Sequence, residues 1–229
     1  MLTILGVPFS AHTRKVIMAA REKQLPYELR ALVPLQPELP QTFVDASPLR
    51  KIPVLIHAGL AIADSTVIAL YLDRVFPERP LYPPDPAAYA QALFVEELVD
   101  GALAHHVLHG LLLQRVFGPK FLGSTPDEAL ITASLEQHIP PRLADLEARL
   151  GQSEWFAGSF SYADVTVASI LMNMAYAGES LDRSRFPKLH AFLRRALTRD
   201  TFAAALKAEA PAARDVGGLD LRLLEELGY

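Results

Sequence analysis

The chain has 229 residues, a formal net charge of −4 and 51% hydrophobic residues, so it is long enough to bury one large core or two small ones. A charge this close to balance gives no electrostatic footprint for nucleic acid or an anionic membrane, which leaves small molecules or protein as partners. Cysteine is absent, which excludes disulfides, an enzyme thiolate nucleophile and thiolate-ligated zinc; thiol chemistry here must use a ligand's sulfur. Met1 to Pro8 lacks a basic n-region and meets proline too early for a signal peptide, and no apolar run is long enough to span a bilayer, so a cytoplasmic location is expected.

In chain order, Leu2 to Val7 reads as a strand stopped by Pro8, and Thr13 to Lys23 as a helix in which Val16, Ile17 and Ala20 recur at helical spacing. Pro26 breaks that helix, Tyr27 to Leu32 reads as a second strand parallel to the first, and Pro34, Pro37 and Pro40 are expected to hold a loop open. Pro53 to His57 and Leu60 to Ala63 are strands joined through Ala58-Gly59, followed by a helix from Ser65 to Phe76 with Ile68, Leu72 and Val75 on its apolar face. These make a βαβ-ββα domain over residues 1–77. Pro77, Pro80, Pro83, Pro84 and Pro86 mark a proline-rich linker, 78–86. Beyond it strand alternation disappears, and helical patterns cover roughly 87 to 117, 127 to 150, 163 to 177, 187 to 198 and 200 to 209. The fold class is α/β plus all-α, with 87–229 the helical domain. Pro140-Pro141 is expected to kink or split the second of these helices after His138.

Several residues carry both a plain structural role and a chemical one. Pro53 stands where a strand begins; it marks an edge turn, or a cis bond that frees the Ile52 or Val54 main chain for an extended peptide-like ligand. Ser10 sits between the first strand and first helix, as an N-cap or as a hydroxyl donor to an anion at the helix N-terminus. His12 has no acidic partner at motif spacing, which argues against a serine hydrolase. Asp64-Ser65 opens the third helix as a cap, or as a pair that holds an ammonium and a carboxylate. Ser161-x-x-Asp164 fits a capping box whose loss costs about 1 kcal/mol or more. His105 and His109 share a helix face, a spacing that suits a metal but lacks a third ligand, so with His106 they form a polar face or line a pocket. Trp155 reads as core.

Taken together, Ser10 six residues before Val16, Lys51-Ile52-Pro53-Val54, Asp64-Ser65 and Phe156-x-Gly158-x-x-Ser161-x-Ala163-Asp164 resemble the cytosolic glutathione transferases over nearly the whole chain. The resemblance implies a thioredoxin-like N-terminal domain that binds glutathione, a helical domain that supplies the pocket for a hydrophobic electrophile, and a homodimer. It assigns Ser10 to the glutathione sulfur, Pro53 to the cis-proline, Ile52 to main-chain pairing with the cysteinyl residue, Asp64 and Ser65 to the γ-glutamyl end, and Lys51 to the glycyl carboxylate. Asp100, which by itself reads as a solvated acid, is similar to a helix acid that sometimes reaches the partner subunit's glutathione, and His12, His105 and His106 are candidates for the substrate pocket. Three positions depart from the family pattern: Asp64 replaces the commoner Glu, Ser47 stands where Asn often precedes Pro48, and Ala11-His12 replaces a Pro-containing segment.

The implied activity is activation of the glutathione thiol for attack on an electrophile, in detoxification, with glutathione as co-substrate and no metal. Glutathione-dependent isomerases, dehalogenases and peroxide or disulfide reductases share the same serine, with Arg14 and Arg115 as the basic residues ring isomerisation would call on. A non-catalytic interaction protein on the same fold is the alternative of another class, and the lack of Cys disfavours glutaredoxin-like mixed-disulfide chemistry.

Overall fold

A computed structural model describes every residue except Pro37. The N-terminal elements are β1 (Leu2–Gly6), α1 (Ala11–Glu22), β2 (Tyr27–Ala31), α2 (Gln41–Ala46), β3 (Val54–His57), β4 (Leu60–Ala63) and α3 (Ser65–Val75). The four strands form one sheet in the order β2-β1-β3-β4. β1 and β2 run parallel with Leu2 opposite Tyr27, and the β1/β3 and β3/β4 pairs are antiparallel. The βαβ-ββα reading therefore holds, with boundaries within two residues. Period-2 alternation divides the sheet's side chains: Leu2, Ile4 and Leu55 join the large core with α1 and α3, while Leu5 and Val54 face the opposite way onto Phe43.

That second face corrects the expectation of an open proline loop. α2 lies within the expected loop, with Pro40 at its N-cap position and Phe43 fully buried as its anchor. Pro34 and Pro40 flank the turn that delivers it, and Pro37 lies outside the described residues. The sequence signal was weak because only one of its six residues is buried.

The helical part begins with α4 (Pro86–Glu97) and runs on without a break through wider π-helical turns at Leu98–Leu103, a short α5 (Ala104–Val107) and further π-helical turns at Leu108–Leu122. Then come α6 (Glu128–Ala133), π-helical turns at Ser134–His138, α7 (Ile139–Leu150), α8 (Tyr162–Tyr176), α9 (Pro187–Leu197), α10 (Asp200–Val216) and α11 (Arg222–Glu226). α10 extends past the expected end at 209, and α11 is an element the sequence reading omitted. The expected kink or split after His138 is seen only as a change of helix type, since the π-helical turns pass into α7 with no non-helical residue between them: Pro140 and Pro141 occupy the first turn of α7, and the His138 carbonyl accepts from Arg142 Nη1 at 2.6 Å.

α8 is buried along nearly its whole length and packs against α1, α4 and α9. Its start carries the capping box, in which the Asp164 carboxylate accepts from Ser161 N (2.8 Å), Ser161 Oγ (2.9 Å) and also Phe156 N (3.0 Å). α1 is tied to α8 and α10 by the buried Arg14 guanidinium, which donates to both Glu209 oxygens (2.8 and 2.9 Å), to Asn173 Oδ1 and to the Ser169 carbonyl. The proline-rich segment is pinned as well: Asp73 accepts from the Leu81 and Tyr82 amides, and Lys23 Nζ donates to the Phe76 and Arg79 carbonyls. Among the described residues no helix is long and apolar enough to cross a membrane.

Candidate active site

Phe9, buried at the end of the β1–α1 turn, fixes where α1 begins, and Ser10 is its N-cap. Ser10 Oγ accepts from Thr13 N at 3.4 Å. A cap uses an oxygen lone pair, so the hydroxyl hydrogen remains free to donate, and the structural and chemical roles of Ser10 coexist. The Ile52-Pro53 peptide is cis. The β3 ladder begins only at Val54, so the Ile52 main chain stands at the sheet margin. Ser47, noted as a departure, proves to organise this segment: its buried hydroxyl accepts from Lys51 N (3.0 Å) and donates to the Lys51 carbonyl (2.9 Å).

Asp64 caps α3 by accepting from Thr66 N (2.9 Å) and Val67 N (3.1 Å), with φ at +73°. A non-glycine residue in that region is strained, and such strain gathers where side-chain placement matters. Ser65 follows at the first helical position. Lys51, Ile52, Asp64 and Ser65 meet in a cleft of about 250 Å³ lined also by His12, Thr66, Glu97, Asp100 and Gly101; Ser10 and Pro53 adjoin its lining residues in sequence but do not line it. Three chain segments remote in sequence thus bring Lys51, Ile52, Asp64 and Ser65 beside the N-terminal turn of α1. A separate hollow of about 300 Å³ beside α8, α9 and α11 contains none of the residues singled out in the sequence.

Behind the cleft lies a buried ionic cluster. Lys15 Nζ pairs with Glu96 and with Asp100 Oδ2 (3.0 Å) and donates to Thr66 Oγ1 (2.9 Å); Glu96 also accepts from Tyr82 OH (2.6 Å) and Thr66 Oγ1 (2.8 Å). Burial, reinforced by Glu96, pushes the Tyr82 phenol far up, so it stays protonated. Lys15, Thr66 and Glu96 were missed in the sequence; the available hint was that Glu96 and Asp100 are four apart and share a helix face. Asp100 is not a solvated acid, as its sequence context alone suggests: it pairs with Lys15 and lines the cleft.

The histidines separate. His12 Nδ1 lies 3.6 Å from Asp100 Oδ1, and burial lowers the His12 pKa, with Asp100 opposing and Lys15 assisting. His105 and His109 are exposed neighbours with ring centroids 5.3 Å apart; burial, His105, Lys51 and His12 hold His109 below its ordinary value. His106 turns the other way, stacked on His138 at 4.2 Å, where burial and the nearby His138 and Arg142 push it down to about 4. Neither His105 nor His106 lines the cleft. Among the described residues no group of three or more His, Asp or Glu side chains is placed to hold a metal ion. Arg14 is fully enclosed by Glu209, Asn173 and Tyr176 and Arg115 is paired with Glu179, so neither faces the cleft as ring isomerisation would require. Trp155 is half-buried, edge-on to Phe160 and Phe192.

The sequence profile for the glutathione S-transferase N-terminal domain matches residues 4–80, and that for the C-terminal domain matches 130–195. Mouse (Mus musculus) glutathione S-transferase theta-3 is 30% identical over 191 residues, covering 80% of this chain and 76% of the relative. Glutathione S-transferase U4 of Arabidopsis thaliana is 36% identical over a shorter stretch of 105 residues, 42% of this chain and 43% of that one. Among solved structures, a glutathione S-transferase from Methylobacterium radiotolerans in complex with glutathione sulfonate superposes with a TM-score of 0.73 at 28% identity, over 89% of this chain and 93% of that chain. With both domain profiles matched in order along the chain, the chain belongs to the glutathione S-transferase family.

Proposed function

We propose that this glutathione transferase holds glutathione in the cleft between the Lys51–Pro53 segment, the start of α3 and the N-terminal turn of α1. The observation that carries the reading is the convergence of Lys51, Ile52, Asp64 and Ser65 on one cleft beside α1. The Ile52 main chain pairs with the cysteinyl residue, Asp64 and Ser65 take the zwitterionic γ-glutamyl end, and Lys51 meets the glycyl carboxylate. Ser10 donates its free hydroxyl hydrogen to the sulfur. A free thiol has a pKa near 8.5, so little is thiolate at pH 7, and each unit of depression corresponds to about 1.36 kcal/mol of anion stabilisation. One hydroxyl bond to an anion together with the α1 N-terminus is of that size.

In this reading residues 1–77 form the glutathione-binding domain, 78–86 the linker and 87–229 the domain with the electrophile pocket. Buried Phe9, next to Ser10, lies with its ring 6.3 Å from that of Phe117, which is 6.2 Å from the half-exposed ring of Phe121; Phe117 and Phe121 are the apolar side chains proposed to meet a hydrophobic electrophile of the kind removed in detoxification. A homodimer is part of the same proposal, with exposed Leu49, Leu60, Val67 and Phe94 as apolar side chains that a second copy of the chain would cover. A cytoplasmic location fits the dependence on a glutathione pool. The test is calorimetric titration of wild type and Ser10→Ala with glutathione, following thiolate absorbance against pH. Ser10→Ala is expected to bind glutathione nearly as well, with a raised thiol pKa and slower turnover. An unchanged pKa and rate would remove Ser10 from the mechanism, and no binding at millimolar glutathione would remove the site.

A further inference from the structure

We infer that His12, oriented by Asp100, is the proton acceptor for the glutathione thiol, an inference that rests on reading the cleft as the glutathione site. His12 is two residues past Ser10 in the same turn of α1 and lines the cleft beside Ile52. In this reading a cysteinyl residue held on the Ile52 main chain presents its thiol to His12, which lines the cleft, with Ser10 at the N-cap two residues before it.

The carboxylate behind His12 is arranged for this role. Asp100 Oδ2 is taken up by Lys15, whereas Asp100 Oδ1, buried and without a hydrogen-bond partner, is the oxygen 3.6 Å from His12 Nδ1. A small rotation of the imidazole closes that gap, and distances of this kind tighten when ligand binds. A carboxylate at Nδ1 selects the tautomer protonated there, which leaves the Nε2 lone pair for a ligand in the cleft; the same logic orients the base of a catalytic triad. Lys15 Nζ lies against both Glu96 and Asp100, so Asp100 does not have that ammonium to itself.

The groups facing His12 are Asp100 from the long helix, Lys15 from α1, Asp64 at the start of α3 and Lys51 from the preceding loop, with His109 across the cleft. Burial among them lowers the His12 pKa, keeping the ring neutral and able to accept a proton at pH 7. In the step itself the S–H bond breaks, the proton bonds to Nε2, and the electron pair stays on sulfur, where the Ser10 hydroxyl donates to it. The thiolate then bonds to the electrophilic carbon, the leaving group departs with its bonding pair, and the imidazolium gives its proton to water.

The deciding experiment is the pH profile of kcat/KM for wild type and His12→Gln, with glutathione and chlorodinitrobenzene, alongside calorimetric glutathione affinity and thermal melting. The acid limb is expected to move up toward the ordinary thiol range in His12→Gln, with a loss of roughly 10²-fold near pH 6.5 that closes above about pH 9, where the thiol ionises unaided. Glutathione affinity should stay within about threefold. Asp100→Asn should move the limb the same way by a smaller amount, and the double variant should be no worse than His12→Gln, because a positioning residue acts only through the group it positions. An unchanged profile, or a loss by the same factor at every pH, would overturn the role of His12. Failure of the wild type to bind glutathione would overturn the site reading beneath it.

Discussion

Replacing Asp164 with Ala removes an acceptor that three donors share in the interior, the amides of Phe156 and Ser161 and the Ser161 hydroxyl, at 2.8–3.0 Å. Each donor left unpaired in the interior costs about 1–3 kcal/mol. Against this stands the relief of a buried charge. Burial raises the Asp164 pKa from 3.8 to about 6 despite those hydrogen bonds, so ionised Asp164 costs on the order of 3 kcal/mol at neutral pH. The net loss for Asp164→Ala is therefore centred on about 3 kcal/mol at pH 7, within a span of about 0–6, or roughly 10 °C in Tm at the centre for a chain of this length. The sign of the pH dependence follows from the raised pKa. Between about pH 4 and 6 the folded state binds more protons than the unfolded state, so the contribution is full below the unfolded pKa and is lost as pH rises through 6. Lowering the pH from 7 to 5 should widen the gap between wild type and Asp164→Ala by about 1.4 kcal/mol. Parallel urea titrations at pH 5 and 7 measure it. A gap that stays the same or narrows at pH 5 would refute the reasoning.

Arg14→Met should destabilise by about 3–5 kcal/mol in the same urea assay, because it leaves Glu209 buried without the guanidinium that holds both its oxygens. Arg14→Met/Glu209→Met should recover much of that loss. Ser47→Ala removes a hydroxyl that satisfies both the amide and the carbonyl of Lys51, so the segment carrying Ile52 loosens. It should cost about 1–2 kcal/mol of stability and raise the glutathione KM several-fold in steady-state kinetics, with the apparent thiol pKa unchanged.

Much of the fold was legible locally. The alternation of Leu2, Ile4 and Leu5, the helical spacing of Val16 and Ala20, the capping residues Ser10, Asp64 and Ser161, and the change of pattern after the prolines each depend on residues within one or two turns of one another. Those signals set the sheet, the helices and the order of the motifs that carry the family resemblance. α2 escaped because its pattern amounts to one buried phenylalanine among exposed residues. The proline-rich segment read as a tether because its anchors, Asp73 and Lys23, lie in other elements.

What only the tertiary structure decided is which polar residues meet. Arg14 reaches Glu209 across 195 positions, Lys15 reaches Glu96 and Asp100 across more than 80, and His105 parts from His106 because adjacent helix residues point about 100° apart. A lone lysine, glutamate or histidine in a sequence reads as a solvated side chain. Its chemistry is set by burial and by the charge opposite it, and both come from long-range packing. The sequence by itself determined the elements and the residues Ser10, Lys51, Ile52, Asp64 and Ser65 as candidates; packing put His12 against the unpartnered oxygen of Asp100.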